Sequence, residues 1–402
     1  MISNGKDLTN ARESLSPIRV AGRIVTVVFA MFLFLLSIEL IATAFGQLGR
    51  ETARSIISAT SNPFIGLFIG LLITAIIQSS STTTSMVVAV VASGGLGLAQ
   101  AIPIIMGANI GTTLTSSLVS LGYITNKNEF RKAIGAGTVH DIFNIITAAI
   151  LFPLEYYYGF LSFLSQSITS LITLDVNAGE GFSLSFINLQ GISNWLLTLV
   201  DFPGAIIVMA FLFLFTSIKL LSSFISKMVI GTSRDQLNKY FFQSSSRAFW
   251  WGTAITGGIQ SSSITTSLMV PLVATSKIPL RRAYSFILGA NVGTTITALL
   301  AALFKSDAAV SIALVHVLFN LIGVLIFLPI PMMRKIPLAL ATSLGRVTMN
   351  HRVIGFLYII VLFFLLPFTL IYLNKDMEVA EHKAPIELFY KENSHTIVGS
   401  NQ

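Results

Sequence analysis

The sequence predicts an all-α polytopic membrane protein with two inverted repeats, each containing a re-entrant hairpin formed by a broken helix. Of the 402 residues, 53% are hydrophobic and 10% are charged, with a mean hydropathy of +0.80, whereas about a quarter of a soluble domain is charged. An uncharged polar run from Gln78 to Ser85 lies between apolar segments, and nearly the same run returns from Gln260 to Ser267. Polar groups at membrane depth are tolerated where they line a cavity, which favours a broken helix over a continuous one.

Composition also excludes several classes of function. The chain has no Cys, so disulfides, thiolate metal sites and cysteine nucleophiles are absent. Its net charge of +8 comes from 25 Lys and Arg against 17 Asp and Glu. Most of the basic residues lie in short loops between apolar segments, a pattern that sets membrane orientation. We therefore expect the lipid bilayer, and no nucleic acid, as a partner.

The first repeat is expected at residues 23–152, after a polar cytoplasmic leader at 1–22 that we expect to be disordered. Its predicted elements are a spanning helix at 24–45, a hairpin at 63–93 and spanning helices at 101–121 and 133–152. Each arm of the hairpin is too short to cross a hydrocarbon core of about 30 Å at about 1.5 Å per residue. Glu39, within the first helix, either reaches the membrane interface or faces the interior of the bundle.

The second repeat is expected at residues 203–330, beyond a mixed connection at 153–202 for which we expect a short hairpin on the membrane surface. Its predicted elements are a spanning helix at 204–226, a hairpin at 249–276 and spanning helices at 283–303 and 308–330. A loop and a final spanning helix are expected at 331–373, the helix itself at 353–373. The mixed-charge segment 374–402 is expected to be a polar tail, since it is too polar to form a core.

Motifs that recur at one spacing indicate an internal duplication. The segment from Gly107 to Thr113 returns from Gly289 to Thr295, 182 positions later, and the polar runs have the same offset. A further set is offset by 176 positions and comprises His140 with Asn144 and His316 with Asn320. If the hairpins do not cross the membrane, each half makes three crossings, and the two halves are therefore inverted.

The loop charges agree with this topology. With the amino terminus inside, four basic loops all fall on the inner side, at 127–132, 227–247, 277–282 and 334–352. The first hairpin then enters the membrane from outside and the second from inside, so that their polar tips can meet at mid-depth.

The polar tips are suited to two kinds of ligand. Hydroxyl and carbonyl oxygens coordinate hard cations such as Na⁺, and N–H and O–H groups at the start of a half-helix bind oxyanions. No Lys or Arg lies in the repeated motifs, so a buried anion needs its counter-charge from co-bound cations. This need gives a physical reason for coupling the two ions.

Two motifs have a second, purely structural interpretation. The small residues Gly107 and Gly111 let helices pack closely, so this segment either packs helices or lines the site. His140 and His316 are either simply hydrogen-bonded, which we favour, or proton-sensitive. Asp141 has no counterpart, because Val317 follows His316, and this asymmetry argues against an essential paired role.

The paired Gln-Ser-Ser-Ser runs, together with Pro103–Thr113 and Gly137–Asn144, resemble the type II sodium-dependent phosphate cotransporter family, in a bacterial version. The resemblance covers nearly all of residues 25–330. It implies Na⁺-coupled symport of inorganic phosphate by alternating access, in a bacterial inner (plasma) membrane. Na⁺ is then the coupling ion, and no cofactor is implied.

The resemblance also implies a set of site residues. For phosphate these are Gln78, Ser79, Ser80, Ser81, Thr82, Gln260, Ser261, Ser262, Ser263, Asn109 and Asn291. For Na⁺ they are Gln78, Ser79, Thr112, Thr113, Gln260, Ser261, Thr294 and Thr295.

Rival functions are judged by their motifs. The chain has no phosphate-binding Gly-x-x-x-x-Gly-Lys loop and no His-Glu-x-x-His zinc motif, which argues against an enzyme. An ion channel, or a symporter of another small oxyanion, remains the alternative, because a channel also uses a polar constriction at mid-membrane.

Overall fold

The computed structural model describes residues 17–47, 62–176, 189–200, 202–230, 241–302 and 305–374, and all regular structure among them is helical. The tail expected at 374–402 lies outside the described residues except for Asn374, and so do residues 1–16 of the expected leader. The leader is shorter than expected, because the first helix already begins at Pro17.

The described helices follow the predicted order. The first half contains α1 Pro17–Gln47, α2 Pro63–Ile77, α3 Ser80–Ala92, α4 Leu98–Gly111, α5 Leu114–Leu121 and α6 Lys127–Tyr158. Between the halves lie α7 Phe160–Val176 and α8 Leu189–Leu199. The second half contains α9 Pro203–Ile230, α10 Ser245–Ile259, α11 Ser262–Ser267, α12 Met269–Ala274, α13 Leu280–Ala302 and α14 Asp307–Phe327. The chain continues with α15 Pro331–Asn350, α16 Val353–Ile360, a π-helical turn Val361–Leu365 and α17 Leu366–Asn374.

Three helices of the first half recur in the second half at the spacing of the sequence motifs. Helices α2, α3 and α4 begin at Pro63, Ser80 and Leu98, and their equivalents α10, α11 and α13 each begin 182 positions later. The duplication inferred from the motifs therefore extends to the boundaries of the helices.

Several helices can cross a membrane. Among the described residues, five helical stretches are long and apolar enough, namely Leu98–Leu121, Lys127–Tyr158, Leu280–Ala302, Asp307–Phe327 and Val353–Leu373. Helices α1 and α9 carry shorter apolar stretches at Val25–Ile41 and Pro203–Leu214. The prediction of an all-helical, multi-pass membrane protein is confirmed at this level.

Glycines bring pairs of helices into backbone contact. Helix α2 packs against α4, and α10 packs against α13. A Cβ atom added at Gly107 would lie 1.8 Å from the carbonyl oxygen of Leu67, and one at Gly289 would lie 1.9 Å from that of Phe249. Only glycine allows so close an approach, so the packing interpretation of these glycines is confirmed in both halves.

The prediction of a loop at 334–352 is wrong, because this segment forms most of α15. Proline at its start suits the first turn of a helix, and its buried residues follow helical spacing: Pro337, Ala341, Gly345 and Thr348. At Gly345 a Cβ would lie 2.3 Å from the carbonyl oxygen of Arg131, so α15 packs tightly along α6. The internal proline and the basic residues concealed this amphipathic pattern.

The connection expected at 153–202 contains two helices in the part that the structure describes, and its place on the membrane surface stays a prediction. Helix α6 continues to Tyr158 and ends at Gly159, which has a left-handed φ of 58°. The carboxylate of Glu155 then accepts from the N–H groups of Leu161 and Ser162 at 2.7 and 3.1 Å. Helix α7 packs against α14 in the second half, because this cap turns the chain back onto the bundle.

Candidate functional site

The polar runs lie where two helices break. Gln78 ends α2 with a left-handed φ of 57°, and Gln260 ends α10 with a φ of 56°. The next residues, Ser79 and Ser261, are extended and act as N-caps of the helices that follow. A left-handed residue other than glycine is unusual and often marks a functional site. We call each Gln-Ser pair a break.

Each cap orients the start of a new helix. The Ser79 Oγ accepts from the Thr82 N–H at 3.2 Å, and the Ser261 Oγ accepts from the Ile264 N–H at 3.4 Å. A helix leaves its first N–H groups without partners inside the helix. In α3 this places donors at the break itself, beside the carbonyls freed at the end of α2.

The two breaks contact each other reciprocally. The Ser81 hydroxyl donates to the Gln260 carbonyl oxygen at 3.0 Å. The equivalent hydroxyl of Ser263 donates to the Gln78 carbonyl oxygen at 3.1 Å. The expectation that the polar tips meet is therefore met, although the tips are 182 positions apart in the chain.

The remaining hydroxyls of the runs differ in what they contact. Ser80 and Ser262 are 3% and 2% exposed, and their hydroxyls make no hydrogen bond to another described residue. The Thr82 hydroxyl lies 2.8 Å from that of Ser79. The Gln78 side chain is exposed, whereas Gln260 is buried. Ser80 and Ser262 are thus the hydroxyls best placed to take an additional ligand.

The asparagines expected to bind phosphate instead link the two halves. The Asn109 Oδ1 lies 3.2 Å from the His316 Nε2, and the Asn291 Oδ1 lies 2.9 Å from the His140 Nε2. The Asn291 amide also donates to the Asn144 Oδ1 at 2.8 Å. Both histidines are hydrogen-bonded, as favoured from the sequence. The assignment of Asn109 and Asn291 to phosphate stays a prediction, since both amides already have protein partners.

The threonines expected to bind Na⁺ bond back to their own helices. The hydroxyls of Thr112 and Thr113 donate to the carbonyls of Ala108 and Ile110 at 2.9 and 2.8 Å. Those of Thr294 and Thr295 donate to Ala290 and Val292 at 2.9 and 2.7 Å. Each oxygen keeps a lone pair, so Na⁺ coordination by these residues stays a prediction. No cluster of three His, Asp or Glu able to hold a metal is found among the described residues.

Sequence reasoning gave too little weight to one buried carboxylate. Asp141 is fully buried and accepts from the Ser117 hydroxyl at 2.8 Å and from the Tyr358 hydroxyl at 3.0 Å. Its Oδ1 has no hydrogen-bond partner among the described residues. Asp141 was given little weight because the equivalent position in the second half is Val317. An acidic residue in the middle of an apolar helix is nevertheless a functional signal in itself.

Some unpaired groups repeat between the halves. The buried hydroxyls of Ser85 and Thr115 have no partner in the part of the chain that the structure describes, and neither do those of Ser267 and Thr297, which lie 182 positions later. Such atoms require water or an ion to satisfy them.

Comparison with known proteins identifies the family. The family model described as Na⁺/Pi-cotransporter matches residues 33–193 and 212–357. The human sodium-dependent phosphate transport protein 2B is 30% identical over 87% of this chain and 64% of its own length. The rat protein 2A is 31% identical over 84% of this chain and 65% of its own length.

The chain spans slightly less than two thirds of the relatives' length, and no solved structure matches it. The family match nevertheless covers most of both halves, including both breaks. The chain therefore belongs to the Na⁺/Pi-cotransporter family.

Proposed function

We propose that this protein is a symporter that couples the uptake of inorganic phosphate to Na⁺. The relatives carry the printed name of sodium-dependent phosphate transport proteins, and the matching family is one of cotransporters and not of enzymes. The observation that carries the proposal to this chain is the reciprocal pair of hydrogen bonds between the breaks, from Ser81 to Gln260 and from Ser263 to Gln78.

The breaks form two re-entrant hairpins in inverted repeats. Helices α2 and α3 have 15 and 13 residues, which correspond to about 22 and 20 Å and are too short to cross alone. Helix α3 packs against α13 and α14 of the other half, and α12 packs against α6. Helices of each half thus pack against helices of the other half, as two interlocking repeats require. Transporters place substrate at such an interface.

Phosphate binds between the breaks to donors without fixed charge. The free N–H groups at the start of α3 and the hydroxyls of Ser80 and Ser262 supply those donors. No basic side chain lies in either run, so burying phosphate alone would be costly. Na⁺ bound by nearby hydroxyl and carbonyl oxygens, including those of Thr112 and Thr294, compensates the charge.

During alternating access, the contact between the two breaks opens and closes. The two hydroxyl–carbonyl bonds join the halves through neutral groups, and each bond contributes about 1 kcal/mol net. Bonds of this strength can be exchanged during a cycle at small cost. The location in a bacterial plasma membrane stays a prediction.

The test is uptake of radioactive phosphate by liposomes that contain the purified protein. The voltage is clamped with K⁺ and valinomycin, and an inward Na⁺ gradient is compared with an inward choline gradient. We expect uptake that saturates with phosphate and requires Na⁺. The phosphate concentration inside the liposomes should rise above the concentration outside. Uptake of equal rate in choline, or a rate that rises linearly with phosphate, would contradict the proposal and favour a channel.

A further inference from the structure

A half-open cavity that carries basic side chains lies away from the breaks. It has a volume of about 380 Å³ and is bordered by the start of α6, the turn between α12 and α13, and α15. Arg131, Lys132, Ser276 and Thr342 supply its polar lining, and Val273 and Ile278 supply apolar walls. Among the described residues, the lining includes two basic side chains and no acidic one, so it carries net positive charge.

Among the described residues, no carboxylate neutralises the two cations of this cavity. The Arg131 Nε is buried and has no hydrogen-bond partner in this part of the chain. The Lys132 Nζ donates to the Ser276 hydroxyl, which is uncharged. Neither side chain forms an ion pair with a carboxylate of the described residues. A partly buried guanidinium with an unused donor is a strong attractor for a doubly charged oxyanion.

Ser276 has an unfavourable backbone conformation. Its φ is +60°, in the left-handed region that favours glycine. The equivalent position in the first half, 182 positions earlier, is Gly94 with a φ of +75°. Glycine would relieve this strain, but it would remove the hydroxyl that lines the cavity and contacts Lys132. A strained serine in place of glycine indicates that the hydroxyl has a use.

The cavity is not a by-product of the duplication. At the 176-position offset of the histidines, Arg131 and Lys132 correspond to Asp307 and Ala308. The equivalent positions in the other half therefore carry an acidic residue and a small one, so the pair of basic side chains is not repeated there.

We propose that this cavity is an oxyanion site for a terminal phosphate group, held by Arg131, Lys132 and the Ser276 hydroxyl. Two sources offer this chemistry, namely free inorganic phosphate and the headgroup of a lipid such as phosphatidic acid. The site is separate from the breaks, and the proposal does not depend on what the protein transports.

The test follows the thermal midpoint of the full chain in nanodiscs, in choline chloride without Na⁺. One arm adds inorganic phosphate to discs of phosphatidylcholine, and the other incorporates phosphatidic acid into the discs. We expect a rise in the midpoint in at least one arm. Stabilisation by phosphate identifies a soluble ligand, and stabilisation by phosphatidic acid alone identifies a lipid. No rise in either arm overturns the proposal.

Variants assign the effect to the cavity. Arg131→Gln is expected to weaken the apparent affinity about tenfold or more, because it removes a charge-assisted hydrogen bond. Ser276→Gly is expected to weaken the affinity while leaving the midpoint without ligand unchanged or higher, since glycine suits the backbone. A rise that Arg131→Gln and Ser276→Gly both leave intact overturns the proposal.

Two controls separate this site from other causes. Arg281→Gln removes a charge from an exposed residue near the same turn that does not line the cavity, and it should leave the effect intact. An equal loss in this control would show a diffuse surface attraction and overturn the proposal. If the stabilisation disappears in the Ser80→Ala/Ser262→Ala double variant, the ligand binds at the breaks. That result would also overturn the proposal.

Discussion

Replacing Gly107 with alanine is expected to destabilise the protein by about 3 kcal/mol or more and to lower its thermal midpoint by about 5 °C or more. The new Cβ would lie 1.8 Å from the carbonyl oxygen of Leu67, so α2 and α4 would have to separate along their contact. Gly289→Ala should have the same effect in the second half, where the distance is 1.9 Å from the Phe249 oxygen. The measurement is thermal unfolding of the purified variants in detergent.

The matched control is Gly66→Ala, on α2 itself. A Cβ there meets its nearest neighbour, the Pro103 Cβ, at 3.4 Å, which is an ordinary contact. We expect this variant to match the parent or to be slightly more stable, because alanine favours helix. If Gly107→Ala unfolds at the same temperature as Gly66→Ala, the backbone contact between the helices is not as described.

Removing the hydroxyls of Ser80 and Ser262 should lower the rate of phosphate uptake and leave the stability of the fold unchanged. A hydrogen bond to a charged ligand contributes about 1.5–3 kcal/mol, so each single alanine variant should lower uptake at limiting phosphate by about 10-fold to 100-fold. Neither hydroxyl has a partner among the described residues that would be left without a hydrogen bond. We therefore expect the thermal midpoints to stay within about 2 °C of the parent.

Ser93→Ala is the control for these variants. Ser93 follows the last residue of α3, and its hydroxyl donates to the Val90 carbonyl oxygen at 2.7 Å, away from the break. Its uptake should equal that of the parent. Equal uptake by Ser80→Ala, Ser262→Ala and Ser93→Ala would remove the two serines from the site.

Much of the fold could be predicted because the duplication repeats its strongest signals. An uncharged polar run inside an apolar segment has few stable solutions in a membrane, and its recurrence placed both breaks. The sequence could not reveal that Gln78 and Gln260, and not a neighbouring serine, take the left-handed conformation. Which residue takes this conformation depends on which one lets the next residue, Ser79 or Ser261, adopt the extended backbone of an N-cap.

Contacts between the halves were the least predictable feature. The exchange in which His140 meets Asn291 and His316 meets Asn109 depends on how two distant halves dock, and local patterns carry no information about that. The same holds for Asp141 and Tyr358, which are 217 positions apart. Helix α15 was missed for a different reason, since its internal proline and basic residues outweighed a correct helical spacing.

The central property of the paired breaks is that they hold Na⁺ and phosphate together and neither ion well alone. The direct measurement follows radioactive sodium and radioactive phosphate in the same liposomes, for the parent and for the Ser80→Ala/Ser262→Ala double variant. The account predicts that sodium influx requires phosphate, that phosphate influx requires sodium, and that the double variant loses both. Influx of either ion at the full rate without the other, or an unchanged double variant, would contradict it.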